Sequence, residues 1–198
     1  AAGTAIAQLL RGVNFADADW EPVEDIVVCD SRGAIHAGRA GLSPEKEALL
    51  AYTNQAAHTG SVHEVLEGAD VFIGVSKGGL LAAGDIQRMA EAPIILAMAN
   101  PEPEIMPDVA LAAGAAIVGT GRSDFPNQVN NVLAFPGIFR GALDVGARVI
   151  DGAMKVAAAH ALADAVVDPL PEWILPQPMD RSVAPLIAEA VRRAANSS

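Results

Sequence analysis

The sequence has one cysteine, few aromatic residues and few cations, and each shortage excludes a class of protein. The single cysteine, Cys29, among 198 residues rules out an internal disulfide and favours a reducing compartment, so we expect a cytoplasmic protein. Thirteen Lys and Arg against 24 Asp and Glu give a net charge of −11, which argues against nucleic acid or an anionic membrane surface as partner. No apolar run approaches the roughly 20 residues of a membrane span, and we recognise no signal peptide.

Metal-binding motifs are also missing. The four histidines are scattered along the chain, and no Cys/His cluster has metal-ligand spacing, so we expect structural or solvated histidines. What the sequence does have is 52% hydrophobic residues, enough for one domain with a substantial core. It is rich in Ala and Gly, a composition that suits close packing of helices on a sheet.

Two short apolar runs, 69–76 and 93–101, are the centre of the predicted fold. Both are nearly continuous rather than alternating, the pattern of strands buried on both faces of a parallel sheet. They end at Ser76 and Asn100, small side chains that can form hydrogen bonds. Ligands of open α/β sheets collect outside the carboxyl ends of the strands, so the sequence predicts a binding site there.

The rest of the chain alternates between predicted strands and helices. Further strands are predicted at 26–30 and 116–119, and Ser43-Pro44 and Ser61-Val62-His63-Glu64 are helix-start signals. This alternation predicts an α/β fold with a doubly wound parallel sheet. We expect a nucleotide-binding unit over residues 1–166. A proline-rich linker and a terminal amphipathic helix over 167–198 would pack on this domain or on a missing one.

Three polar positions suggest nucleotide or ligand binding, each with an ordinary alternative. Gly3 fits the last glycine of a phosphate-binding turn, whose strand and first glycines would be missing, or an ordinary frayed helix. Asp30 fits an acid that binds the adenosine ribose, or the first residue of a tight turn. In the polar loop 120–131, one of Asn130 and Asn131 can cap the next helix, which leaves the other amide for a ligand.

With these residues in view, the sequence resembles the dinucleotide-binding portion of malic enzymes of the compact bacterial kind. The most specific blocks are Asn-Pro-Glu-Pro-Glu at 100–104 and Arg-Ser-Asp-Phe-Pro-Asn-Gln-Val-Asn-Asn at 122–131. The matching segments, which together span nearly the whole chain, are 29–33, 67–76, 99–104, 119–131 and 135–144.

The resemblance implies a Rossmann-like NAD(P)-binding domain that contributes to oxidative decarboxylation of malate to pyruvate and CO2. It implies that Asn100 and Asn131 bind the substrate carboxylates, and Asn100 also borders the cofactor site. The cofactor, NAD or NADP, would contact five further positions: Gly3 in the phosphate turn, Asp30 at the ribose, Lys46, and Val75 and Ser76 along the cofactor path.

The resemblance also implies partners outside this chain. The family's catalytic Tyr and Lys, its substrate Arg and the acidic ligands of a divalent Mg or Mn would all lie upstream, in an N-terminal catalytic domain. We therefore expect no catalytic and no metal-binding residue in this chain, and no activity from it alone. Since malic enzymes are generally dimers or tetramers, a homo-oligomer is expected.

The sequence does not decide between NAD and NADP, and it leaves two alternative functions open. An acid at Asp30 favours NAD because it repels a 2′-phosphate. Lys46 is similar to a phosphate-binding Lys of NADP-using members, though it fits a solvated first-turn Lys equally well; we expect a preference for NADP. The rivals are an amino-acid dehydrogenase of the glutamate or leucine type, which shares the fold, and a non-catalytic nucleotide-binding fragment.

Overall fold

The computed structural model describes residues 2–13 and 22–196. Its core is a three-stranded parallel sheet in the order β3-β4-β5, flanked by short helices and followed by a layer of longer ones. The elements are α1 Ala2–Leu10, β1 Cys29–Asp30, β2 Gly33–Ala34, α2 Pro44–Leu49, α3 Val62–Val65, β3 Val71–Gly74, α4 Ala83–Ile86, β4 Ile94–Ala97, α5 Pro107–Ala112, β5 Ile117–Thr120, a 3-10 turn Asn131–Leu133, α6 Phe135–Asp144, α7 Gly152–Asp164 and α8 Val183–Asn196.

The two apolar runs form neighbouring strands of this sheet, as predicted. Residues 71–74 of β3 pair in parallel with 94–97 of β4, which pair in turn with 117–120 of β5. Ile95 and Ala97, in the central strand, are fully buried. The apolar core around the sheet includes Leu66, Phe72, Leu81, Ile86, Met89, Ile105, Ala110, Ala115 and Val118. The prediction of an α/β fold with a parallel sheet is confirmed.

At 26–30, where the sequence predicts a strand of the parallel sheet, the structure differs from the prediction. Only Cys29–Asp30 is a strand, and it pairs antiparallel with Gly33–Ala34 in a small hairpin. The turn follows from local chemistry, since the backbone N–H of Arg32 donates to Oδ1 of Asp30 at 2.8 Å. Gly33 completes the turn at a φ of +100°, where a Cβ would lie 2.2 Å from the carbonyl oxygen of Gly60. Asp30 is therefore the first residue of this turn.

The helices α6, α7 and α8 pack together in a second apolar cluster. Val183, Ile187 and Val191 are buried on α8, as its amphipathic pattern predicted, whereas Leu186 is 51% exposed. Helices α6 and α8 approach closely because α6 carries glycines on the shared face. A Cβ at Gly137 would lie 2.6 Å from the Cβ of Ile187. The terminal helix thus packs on this chain's own helices. Among the described residues, no helix has the length and apolar content needed to cross a bilayer.

Candidate functional site

The site begins at the carboxyl ends of β3 and β4. Because the two strands are parallel, their ends lie at the same edge of the sheet, and the N–H of Met98 extends the pairing by donating to Gly74 O at 3.0 Å. Ser76 lies two residues after the end of β3 and Asn100 lies three residues after the end of β4, and both are exposed. The structure therefore places the two predicted polar residues together at one edge of the sheet.

A buried carboxylate joins the two strand ends. Oε1 of Glu104 accepts a hydrogen bond from the backbone N–H of Ser76 at 2.9 Å, and Oε2 accepts one from that of Ala99 at 3.0 Å. Glu104 is 0% exposed. Its carboxyl group lies against Gly74, where a Cβ would come within 2.3 Å of Cδ. Glycine at position 74 is thus required for the carboxylate to reach both amides.

The loops that leave the two strands are also bound to each other. The N–H of Gly79 donates to Pro103 O at 3.0 Å, and the N–H of Leu81 donates to Glu104 O at 2.8 Å. Gly78 lies so close to Glu102 that a Cβ would approach the Cβ of Glu102 to 2.7 Å. The turn after Ser76 and the Asn-Pro-Glu-Pro-Glu segment therefore form one packed unit.

Helix α1 begins beside this unit. A methyl group placed at Gly3 would lie 3.8 Å from Cγ2 of Val75, so the first turn of α1 is next to the end of β3. Val75 itself is 41% exposed. Three of the predicted cofactor-binding residues, Gly3, Val75 and Ser76, are thus gathered in one place. Backbone N–H groups at a helix start favour bound anions.

Asp30 of the β1–β2 hairpin and Lys46 of α2 form a second group. Lys46 Nζ donates to Oδ2 of Asp30 at 2.5 Å, and Arg39 Nη2 lies 2.6 Å from both carboxylate oxygens. Burial alone would raise the pKa of Asp30, but the hydrogen bonds from Arg39 and Lys46 hold that pKa far below its usual range. One carboxylate facing two cations leaves the group with a net charge of +1.

The paired amides of the polar loop have separate roles. Oδ1 of Asn130 accepts from the N–H of Val132 at 3.0 Å and so caps the 3-10 turn that starts at Asn131. Asn131 is exposed, and among the hydrogen bonds of the described residues none involves its side chain. As predicted, one amide of the pair caps the turn, that of Asn130, and the side chain of Asn131 is left available for a ligand.

The loop before Asn130 is fixed by Asn127, which is 7% exposed and has a φ of +53°. Its Nδ2 donates to Val118 O at 3.1 Å and to Pro171 O at 2.8 Å, while its Oδ1 accepts from the N–H of Ile174 at 2.8 Å. One side chain thus holds both the polar loop and the proline-rich segment against β5.

No metal centre is formed by the part of the chain that the structure describes. In residues 2–13 and 22–196, no group of three His, Cys, Asp or Glu side chains is arranged to hold a metal ion. By themselves these residues therefore supply no set of three such ligands for Mg or Mn.

Three residues of the site were not singled out from the sequence: Arg39, Glu104 and Asn127. Arg39 and Glu104 are charged loop residues with no periodic pattern around them. Asn127 follows Pro126, and this Pro-Asn pair is a turn signal that could have indicated its left-handed conformation.

The parallel sheet with polar residues at its carboxyl edge and a helix start beside it defines a dinucleotide-binding domain of the Rossmann-like class. The family model for the malic enzyme NAD-binding domain matches residues 1–196, and the chain belongs to this family. A bifunctional malic/malolactic enzyme of Bacillus subtilis is 53% identical over 198 residues, which cover 98% of this chain and 46% of that protein. An NAD-dependent malic enzyme of Geobacillus stearothermophilus is 44% identical, covering 98% of this chain and 39% of that protein.

Solved structures agree with this assignment. The crystal structure of the Entamoeba histolytica malic enzyme matches 96% of this chain and 40% of its own with a TM-score of 0.84 and 40% identity. The chain therefore spans less than half the length of these relatives.

Proposed function

We propose that this chain is the NAD(P)-binding part of an enzyme that converts malate to pyruvate and CO2. The observation that carries the proposal is the pairing of Ser76 and Asn100 at one edge of the sheet, joined through Glu104. It brings a residue proposed for the cofactor beside one proposed for the substrate. Family membership supports the same reaction, since the relatives' names are those of NAD- and NADP-dependent malic enzymes.

The cofactor would lie along the edge formed by α1 and β3. Gly3 would face its phosphates, Val75 and Ser76 would border its path, and Asp30 and Lys46 would face the adenosine ribose. NAD(P) bound there would supply the hydride acceptor for C2 of malate. The protein's own contribution at this edge is to bind and orient.

The substrate carboxylates would be bound by the amides of Asn100 and Asn131. Both side chains are exposed, and neither takes part in a hydrogen bond of the described residues, so their N–H groups are available to an anion. An amide donates to a carboxylate without the strong electric field of a cation. A cation at this position would stabilise the bound substrate excessively relative to the transition state.

Proton transfer and metal binding are assigned to other parts of the polypeptide. The described residues contain no metal-binding cluster, so we place the ligands of Mg or Mn, and the proton-transfer groups, in the portion that the longer relatives have in addition. We further propose a homo-oligomer located in the cytoplasm, and residues 1–166 as the cofactor-binding unit.

The charge around Asp30 supports NADP as the preferred cofactor. Asp30 alone would repel a 2′-phosphate, but Arg39 and Lys46 outweigh its charge. Lys46 is 38% exposed and can turn from Asp30 toward a phosphate, whereas Arg39 is only 9% exposed. We therefore assign the phosphate contact to Lys46 and the neutralisation of Asp30 to Arg39.

The test is an assay of the full polypeptide that contains this chain, with Mg, either cofactor, and malate, glutamate or leucine. We expect NAD(P) reduction with malate only, with pyruvate formed in equal amount. Reduction with glutamate or leucine would support an amino-acid dehydrogenase, and tight cofactor binding without turnover on any of the three would support a non-catalytic module.

A further inference from the structure

Glu104 is a buried carboxylate whose two oxygens accept from two different strand ends. Its partners are the backbone N–H groups of Ser76 and Ala99, and the residue after Ala99 is Asn100. The carboxylate does not cap a helix, because α5 begins three residues later, at Pro107, with Met106 in the capping position.

The burial of this charge needs a reason. A carboxylate away from water is costly unless it is paired and hydrogen-bonded, and none of the ion pairs formed by the described residues includes Glu104. Among residues 2–13 and 22–196, its hydrogen-bond donors are backbone N–H groups only. A neutral side chain would fill the same space at lower cost, but only a carboxylate presents an acceptor to both N–H groups at once.

We propose that Glu104 is a positioning residue that fixes Ser76 and Asn100 relative to each other, so that cofactor and malate are held in register. The inference rests on the proposed function. Strand pairing by itself ends at the bond from Met98 to Gly74, and the chain beyond carries the two binding residues. The carboxylate extends the connection between the strands by one step, to the backbone that carries these two side chains.

The structure also says which change removes the bridge. In Glu104→Gln the amide oxygen still accepts one N–H, but the new NH2 group faces the other N–H, donor against donor. The side chain keeps its shape and loses one of its two connections. Asp85→Asn is the matched control, because Asp85 is also buried, at 4% exposure, and accepts from a backbone N–H, that of Ala82 at 2.8 Å. The Asp85 side chain connects α4 to His63 and Arg88 and does not connect two strand ends.

The experiment measures the melting temperature, kcat, the KM for malate and the Kd for NADP in the full polypeptide. We expect Glu104→Gln to raise the malate KM about tenfold and the NADP Kd about threefold, in line with the loss of a charged hydrogen bond. Asp85→Asn should lower the melting temperature and change neither constant more than about twofold. If Glu104→Gln behaves like Asp85→Asn, the inference is overturned.

A double-mutant cycle separates positioning from general damage to the fold. If Glu104 acts on malate through Asn100, Glu104→Gln should change the malate KM less than about twofold in an Asn100→Ala background. Its effect on the NADP Kd should persist there, since that effect runs through Ser76. Equal effects on the malate KM in both backgrounds would contradict the proposed route.

Two further measurements test the inference if Glu104→Gln does not fold. Glu104→Asp keeps the charge but is one methylene shorter, so it should reach one amide and give the same pattern. In the unaltered protein, amide hydrogen exchange should be slower at Ser76 and Ala99 than at Lys77, and equal rates would overturn the inference. A wild type that binds NADP but never turns over malate would refute the proposed function, while the effect on NADP Kd would still test Glu104.

Discussion

The guanidinium of Arg39 binds both carboxylate oxygens of Asp30 through one nitrogen, Nη2, at 2.6 Å. Through Nη1 it also donates to the carbonyl oxygens of Gly33 and Ala34, each at 3.0 Å. A single side chain therefore both neutralises the acid and holds the β1–β2 hairpin in place. Since Arg39 is largely buried and Lys46 is not, the two cations that face Asp30 should respond differently to substitution.

Arg39→Met should lower stability. It removes hydrogen bonds to a charged group at a site where the side chain is 9% exposed, so we expect a loss of about 2–3 kcal/mol in the free energy of unfolding, measured by urea titration. Arg140→Met is the control, because that side chain is 73% exposed in its ion pair with Asp144 and should contribute at most about 0.5 kcal/mol. Equal losses in the two variants would contradict the structural role given to Arg39.

Lys46→Gln should change cofactor choice rather than stability. It removes the more exposed cation and leaves Arg39 to neutralise Asp30, so in the full polypeptide the KM for NADP should rise much more than that for NAD. We expect a difference of about tenfold, the effect of one charged hydrogen bond. Lys155→Gln, an equal charge change on the exposed face of α7, should alter neither KM. If Lys46→Gln raises the KM for NADP and the KM for NAD equally, the proposed contact between Lys46 and the 2′-phosphate is wrong.

The strands of the sheet and their polar ends could be predicted from the sequence because the signal is local. Residues 71–74, 94–97 and 117–120 lie in short apolar runs bounded by turn residues, and each is a strand. The hairpin at 29–34 was predicted only in part: a turn starting at Asp30 was one of two alternatives, but the apolar run at 26–29 was interpreted as a strand over 26–30. There the Asx turn at Asp30 and the crowded glycine at position 33 outweigh the apolar pattern.

The connections within the site could not be predicted in the same way. Glu104 stands in a segment of prolines and acids without an apolar pattern, and its burial depends on two strand ends separated in sequence. The bond from Asn127 to Pro171 spans 44 residues, and its partner is a backbone carbonyl group with no signature of its own. Long-range bonds to the backbone leave no pattern in the sequence.

Asn100→Ala and Asn131→Ala should impair use of malate. If each amide donates to a substrate carboxylate, each variant should lose about 1–3 kcal/mol in kcat/KM for malate, with little change in cofactor affinity. Stability should hardly change, because these side chains make no hydrogen bond among the described residues. Steady-state kinetics and thermal unfolding together provide the measurement.

Asn130→Ala is the matched control for Asn131→Ala. Asn130 caps the 3-10 turn, so its loss should cost about 0.5–1 kcal/mol in the free energy of unfolding with smaller effects on malate. Should Asn131→Ala lower the melting temperature and leave kcat/KM for malate intact, its role is structural and the proposed substrate contact is wrong.

Because the thiol of Cys29 has a raised pKa, we predict that the free energy of unfolding falls at alkaline pH. Burial, assisted by the nearby charge of Asp30, raises the pKa of its thiol from 9.0 to about 11. The native thiol thus keeps its proton where the unfolded thiol has lost it, so the free energy of unfolding should fall as the pH rises from 9 toward 11. Urea unfolding across this range tests the prediction, and Cys29→Ala should show a shallower decline. Identical slopes would contradict it, as would rapid reaction of the native thiol with a disulfide reagent at pH 8.

Residues 1–198 by themselves should oxidise no malate and should bind NAD(P) weakly. In the described part of the chain no side chains are arranged to hold a metal, and loss of such groups removes most of an enzyme's rate enhancement. In the same residues, β3 pairs on one side only, with β4, and Val71 and Val75 are 46% and 41% exposed. Because an open strand edge pairs readily with other chains, we expect this polypeptide to aggregate. Calorimetric titration with NADP and Mg, an absorbance assay with malate and light scattering provide the test. Micromolar binding together with turnover would show that these residues already form a complete site.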